Sequence, residues 1–404
     1  MRRHPPRREK AHRLQIVRHH LHPRKSHGLV HGLRRGRLRR PLDLWPFPRH
    51  ESPRPMTLPR RSHPRPLDLK HGRVDLTHGG GGRAMAQLVD ELFVAAFDNE
   101  VLSQGNDQGA FDVTAGRMVM STDGYVISPL FFPGGDIGSL AVHGTINDVA
   151  MAGARPIGLS AGFIIEEGFA LADLARIVTS MATASKAAGV PVMTGDTKVV
   201  EKGKGDGIFI TTAGVGMVPP GIHISGDLAR PGDVILVSGS MGDHGIAVMS
   251  QRESLGFDTE ILSDSAALHT LVAAMIAAAP GIRVLRDPTR GGLAATLNEI
   301  AAQSGVGMEI GEQAIPIKPQ VLGACELLGL DPLYVANEGK LICICGPADA
   351  DAVLAAMRTH PLGVDAAIIG RCDADPHHFV RMKTAMGGTR VVDWLAGEQL
   401  PRIC

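Results

Sequence analysis

Gly144-Thr145-Ile146-Asn147-Asp148 lies in a segment, 136–153, where Ile137, Leu140, Ala141, Ile146 and Val149 form a broad apolar stripe at helical spacing. The segment reads as a helix. Strands flank it. Met118–Ser121 and Tyr125–Ile127 read as strand segments around Thr122-Asp123, and Ile157–Ile165 as a strand. Leu171–Ala188 is a helix; Val190–Thr194 and Gly207–Val218 are strands with a charged loop between them. Upstream, Leu69–Thr77 reads as a first strand. It leads through His78-Gly79-Gly80-Gly81-Gly82-Arg83 into a helix over Ala84–Phe97, with Leu88, Leu92, Phe93 and Ala96 on one side. This half ends near Pro220.

A second half begins near Ile224. Strand Asp233–Ser238 enters Gly239-Ser240-Met241-Gly242-Asp243-His244-Gly245 and a helix over Ile246–Gln251. A helix near Leu268–Ala279 and a strand Arg283–Leu285 follow. Arg286-Asp287-Pro288-Thr289-Arg290-Gly291-Gly292 then opens the helix Leu293–Ser304. Strands Leu341–Cys345 and Ala367–Arg371 flank a helix over Ala348–Thr359. The expected order is a segment 1–68, an N-terminal domain 69–220, a C-terminal domain 221–396 and a mobile tail 397–404. Mixed strands and helices in both halves make an α+β chain.

The 404 residues carry a net charge of +1, which hides a split. Met1–Pro55 holds 16 Lys/Arg against 3 acids, so the remainder is roughly −12. An acidic body disfavours a large nucleic-acid footprint. The Arg-, His- and Pro-rich start shows no periodicity and buries too little apolar surface to order itself, and Met56 is an alternative start. Its His19, His20 and His22 make a weak metal tract. None of the five cysteines forms a C-x-x-C pair, no apolar run reaches transmembrane length, and no signal-peptide core follows the first arginines. A cytoplasmic, reducing location is the simplest reading.

The chain lacks G-x-x-x-x-G-K-[ST] and a complete dinucleotide fingerprint. Four acidic motifs stand in their place: Asn106-Asp107, Ser121-Thr122-Asp123, Gly144–Asp148, and Thr194-Gly195-Asp196-Thr197-Lys198. One Asp alone reads as a cap or turn residue. Four on one face suit a hard cation that bridges carboxylates to phosphates. The Gly79–Gly82 run is either a linker or a mobile lid whose N–H groups approach phosphate.

The chain ends Gln399-Leu400-Pro401-Arg402-Ile403-Cys404. The cysteine is not in a prenylation box. Seven extended residues before it reach roughly 23–25 Å, enough to enter a neighbouring active site. A tethered thiol delivers a substrate at high effective concentration. Cys343 and Cys345, at period two in one strand, read as core, as do Cys325 and Cys372.

From about Leu69 to Cys404 the chain resembles the HypE family, the carbamoyl dehydratases of nickel–iron hydrogenase maturation. The resemblance runs through His78–Arg83, Ser121–Asp136, Gly144–Asp148, Thr194–Val200, Gly242–Gly245, Arg286–Gly292, Asn337-Glu338-Gly339-Lys340 and the terminal Pro401-Arg402-Ile403-Cys404. The acidic motifs are shared with the wider PurM-like ATP-binding superfamily, whereas the terminal motif is specific. Gly124 stands where the family pattern has Ser, and the basic start lies outside the pattern.

The resemblance implies a PurM-like fold: an N-terminal α+β domain that pairs in a homodimer, a C-terminal α/β domain, and a flexible tail. It implies ATP with Mg2+ and dehydration of a carbamoyl group on Cys404 to a thiocyanate, the source of a cyanide ligand. A HypF-like carbamoyltransferase would donate and HypC- and HypD-like proteins accept. Asp107, Asp123, Asp148 and Asp196 are the metal candidates. These four, with Asn147, Lys198 and Gly79, Gly80, Gly81 and Gly82, are the nucleotide candidates. Cys404, Glu338 as base and Lys198 are the catalytic candidates; His244 and Arg290 are weaker ones. Two alternatives remain: another PurM-like synthetase or small-molecule kinase, which has no need of Cys404, and a scaffold that binds nucleotide without chemistry.

Overall fold

The computed structural model describes residues 65–80, 82–104, 108–253, 260–394 and 402–404. The basic start to residue 64, Gly81, Asp107 and the tail residues 397–401 fall outside them. A 3-10 turn (Leu76–Gly79) leads to α1 (Arg83–Leu88), a π-helical turn (Val89–Val94) and α2 (Ala95–Phe97). The strand expected over Leu69–Thr77 is not formed; Arg73 makes a lone bridge to Ala170. Local polar groups win there. Gly72 N–H folds back onto Asp68 O, and the Asp75 carboxylate accepts from Thr77 N–H and caps the turn.

The next elements are β1 (Arg117–Tyr125), β2 (Phe131–Phe132), β3 (Gly135–Asp136), α3 (Ile137–Met151), β4 (Arg155–Glu166), α4 (Leu171–Ala188), β5 (Val192–Val200) and β6 (Ile208–Val218). The four longer strands form a sheet in the order β1-β6-β4-β5, with β4 and β5 parallel and the other pairs antiparallel. β1 is one strand rather than two, because Thr122, Asp123 and Gly124 keep their partners Ala213, Thr212 and Thr211 on β6. Residues 195–200, expected in a loop, extend β5 along β4.

The helix predicted from the apolar stripe is α3. Buried Asp136 starts it, accepting from Gly138 and Ser139 N–H while Ser139 Oγ caps in return. α3 and α4 cover one face of the sheet. A chain of hydroxyls pins α3 down. Thr212 Oγ1 donates to Ala141 O at 3.0 Å, so Thr145 donates to Thr212 at 2.5 Å and Tyr125 to Thr145 at 3.1 Å. Burial, with Asp123 beside it, pushes the Tyr125 phenol well up, which keeps it the donor this order requires.

The second half adds β7 (Val234–Val237), α5 (Asp243–Arg252), α6 (His269–Ala278), β8 (Val284–Arg286), α7 (Gly292–Ser304), β9 (Gly307–Gly311), α8 (Pro319–Leu328), β10 (Ile342–Cys345), α9 (Ala350–Thr359), β11 (Ala367–Asp373), β12 (Val380–Lys383) and β13 (Thr389–Val391). Its sheet runs β13-β12-β9-β11-β7-β10-β8, antiparallel except for β9 with β12. β10 shows why two faces are needed. Ile342 and Ile344 pack with Leu293 and Leu297 of α7; Cys343 and Cys345 pack on the other side with Met275 of α6 and Val353 of α9. Both cysteines are core, as expected. Among the described residues no helix is long and apolar enough to cross a membrane.

Thr212→Val removes the end of the hydroxyl chain and leaves Thr145 without its acceptor. The expected loss is about 1–3 kcal/mol, read as a lower urea midpoint with unchanged slope.

Candidate functional site

The last three residues dock into their own chain, entering through a left-handed turn at Arg402. Val126 N–H donates to Cys404 O at 3.2 Å and Ser128 N–H to Arg402 O at 3.1 Å. Arg402 Nε returns a bond to Val126 O at 2.8 Å, and its guanidinium pairs with Asp206. Ile403 is buried in the apolar core of the first half, beside Val248 and Ala336. Cys404 is 9% exposed. Burial, then the carboxyl of Glu338, pushes its thiol up to about 12, against a weaker opposing pull from Arg290. The docked sulfur is therefore a neutral thiol near pH 7.

Carboxyls surround it. Glu338 is 3% exposed, and its Oε1 has no hydrogen-bond partner. Burial holds its carboxyl well above the ordinary range, and Asp287, Asp264, Asp123 and Asp148 push the same way. Burial raises Asp287 to about 7, helped by Asp148 and opposed by Arg286. Asp148 is raised too, by burial and by Asp123, although Ser121 Oγ donates to it at 2.7 Å.

Asparagines set this geometry. Asn337 accepts from Gly242 N–H at 2.7 Å and donates to Pro288 O and Val335 O, tying three loops beside Glu338. Asn147 donates to Ala266 O and Glu338 O and accepts from Leu268 N–H. Its amide joins the two halves. Asp264 accepts from Glu338 N–H at 3.0 Å and faces Lys340 Nζ at 3.4 Å. Gly339 is required there, since a Cβ would come within 1.7 Å of Asp264 O.

The expectation that four acids share one face does not hold within the chain. Asp123 points with Thr212 toward α3. Asp196 lies in the row Gly124–Thr211–Gly162–Asp196, on the opposite face and on the edge strand. Lys198 shares that face, pairs with Asp196 at 2.8 Å and is 62% exposed, apart from Cys404 and Glu338. The Lys198 bond draws the Asp196 carboxyl down. Gly79 packs against Val199 of the same strand, and Gly82 has open space around its Cα. Asp107 and Gly81 lie outside the described residues. Among the described residues no group of three His, Cys, Asp or Glu side chains has metal-holding geometry.

Asp287, Asp264, Lys340 and Arg252 join the site without having been singled out in the sequence. Asp287-Pro288 after a strand and before Gly291-Gly292 was the readable signal for the first. Asp264 sits in an aperiodic stretch and gave none. A cavity of about 930 Å3 lies elsewhere, against Arg155, Met217 and Ile276, and is lined by none of the predicted residues.

Residues 105–218 match the family described as AIR synthase related protein, N-terminal domain, and residues 230–383 match its C-terminal domain. The chain thus has the PurM-like architecture. It is 72% identical over 341 residues to the carbamoyl dehydratase HypE of Cupriavidus necator, covering 84% of this chain and 97% of that one. A crystal structure of HypE in complex with ATP superposes with a TM-score of 0.79 at 51% identity, over 82% of this chain and 99% of the other. A HypE–HypF complex gives 0.68 at 48% identity, over 76% and 99%. The chain belongs to the HypE family of carbamoyl dehydratases.

Asp287 opposes folding at neutral pH. Its folded pKa lies above its unfolded value, so the stability present near pH 4 is lost as pH rises toward 7, an effect of roughly 2–4 kcal/mol. Asp287→Asn should remove that slope. In EDTA without nucleotide, it should be more stable than wild type at pH 8 and gain little at pH 4.5.

Proposed function

We propose that this chain uses ATP to dehydrate a carbamoyl group carried on the Cys404 sulfur, leaving a thiocyanate that supplies the cyanide ligand of nickel–iron hydrogenase. The observation that carries this reading is the docking of a C-terminal thiol among carboxyls, one of them a buried glutamate with an unshared oxygen. A structural cysteine needs no such surroundings. The balance is S-carbamoyl-cysteine plus ATP to S-cyano-cysteine, ADP, phosphate and a proton. MgATP supplies the phosphoryl group that turns the carbamoyl oxygen into a leaving group.

The residues present fit such a substrate. Asp148 and Asp123 crowd each other; held by these carboxylates, a hard cation such as Mg2+ would relieve that crowding and neutralise phosphate charge. Arg290, which already acts on the Cys404 thiol, opens α7 through Gly291-Gly292, where an anion is favoured. Glu338, whose carboxyl burial holds well above the ordinary range, would accept a nitrogen proton once cationic charge in the cluster ionises it. Gly82 leaves its backbone open to a phosphate.

Asp196, Lys198 and the glycine run contribute from a second copy. Their face of the first sheet is lined by small residues and carries exposed Met118, Met120 and Ile164, with Met120 72% exposed. Its apolar character suits a homodimer, which gives these residues a nucleotide bound across the interface. A HypF-like protein loads the sulfur, and HypC- and HypD-like proteins take the cyanide.

Two measurements test this. Incubated with a carbamoyltransferase, carbamoyl phosphate and MgATP, the intact protein should gain about 43 Da and then lose about 18 Da, both on Cys404 and neither in Cys404→Ala. ATP turnover on another acceptor, undiminished in Cys404→Ala, would favour a generic PurM-like kinase or synthetase. Met120→Asp with Ile164→Asp should convert a dimer to a monomer in light scattering and cut ATP affinity by about tenfold or more.

A further inference from the structure

Helix α5 holds the docked tail at both of its ends, through backbone carbonyls rather than the sulfur. At its first turn, His244 Nε2 lies 2.8 Å from Ile403 O. A carbonyl only accepts, so Nε2 carries the hydrogen and Nδ1 is bare. Nδ1 in turn accepts from Ser263 Oγ at 2.8 Å, and that oxygen accepts from Ser265 N–H at 3.1 Å. Burial disfavours a charged ring here, in keeping with this single tautomer. At the last turn of α5, Arg252 spans two carbonyls. Its Nε donates to Ser128 O at 2.9 Å, and a terminal nitrogen donates to Arg402 O at 2.9 Å. The guanidinium therefore ties the tail to the segment that receives it. Both side chains grip consecutive backbone carbonyls, one and two residues before Cys404.

We propose that His244 and Arg252 are positioning residues for the dehydration half of the reaction: they fix the register in which Cys404 meets Glu338 and take no part in loading the sulfur. The inference rests on the reaction proposed above. A grip on backbone is blind to what the sulfur carries, so thiol, carbamoyl and cyano forms are held alike. Loading happens on a tail that has left this grip, since the docked thiol is buried. Weakening the grip should leave loading intact and slow the step that follows.

The test is a time course of intact mass on the full-length protein with carbamoyltransferase, carbamoyl phosphate and MgATP. Loading is the sum of both adducts; dehydration is the conversion of one into the other. His244→Leu and Arg252→Met should load at the wild-type rate and convert about three- to tenfold more slowly, the worth of one or two hydrogen bonds. Ser263→Ala, which unsettles the tautomer without emptying the pocket, and Arg252→Lys, which keeps one donor, should fall between. Maleimide labelling adds a readout that a purely structural defect would not move. The other four cysteines are buried, so a rise of similar size in Cys404 labelling, with unchanged melting, reports the freed tail. Wild-type conversion and labelling rates in Arg252→Met and Ser263→Ala overturn the inference, even if His244→Leu fails to fold. Failure of the wild-type protein to acquire either adduct overturns the reaction itself, a distinguishable result.

Discussion

Crowding of like charge in a dry place is the constraint on which the site depends. Glu338, Asp287 and Asp148 are all pushed toward their neutral forms by burial and by neighbouring carboxyls, Asp123 among them. Full ionisation of such a set without counter-charge costs several kcal/mol per ion. The nearby cations are few among the described residues: Arg286 pairs with Glu299, Lys340 faces Asp264, and Arg290 sits toward solvent. Counter-charge brought in from outside would offset this crowding and draw the carboxyls back toward their ionised forms.

Holding acids together against their repulsion requires rigid supports, and these are neutral. Asn337 and Asn147 use their amides on backbone groups from several loops, and the hydroxyl chain from Tyr125 to Ala141 locks α3 to the sheet. None of these supports carries charge, so none competes with a phosphate. The tail is received differently: through backbone bonds, the buried side chain of Ile403 and the guanidinium groups of Arg252 and Arg402, while among the described residues no hydrogen bond reaches the sulfur.

Much of this was legible in the residues. The apolar stripe of α3 and the period of Leu171–Ala188 gave those helices nearly to the residue, since both bury a continuous face. The terminal cysteine and Glu338 were readable through their motifs. Other parts were not. β9, β12 and β13 are three to five residues long and carry glycine or charge, so long-range register rather than local preference creates them. The strand expected at Leu69–Thr77 lost to an Asp-capped turn. Asp196 looked like a companion of Asp123 because spacing along a chain does not show which face of a sheet a residue takes, nor that two strands, β6 and β4, lie between theirs. His244 was legible only as a weaker catalytic candidate; that its ring bonds the tail, 159 residues on, was not.

α3 also belongs to more than one interior. Ile137 to Ile146 lie in the core of the first half, whereas Ala150 and Met151, at its far end, pack into the core of the second with Leu271 and Leu236. Asp148 sits between the two regions. A rod shared in this way makes the halves lean on one another: melting either core frees one end of the same helix. Local opening of one half then loosens the other, and the protein loses its order as a single cooperative unit rather than as two folding modules in series.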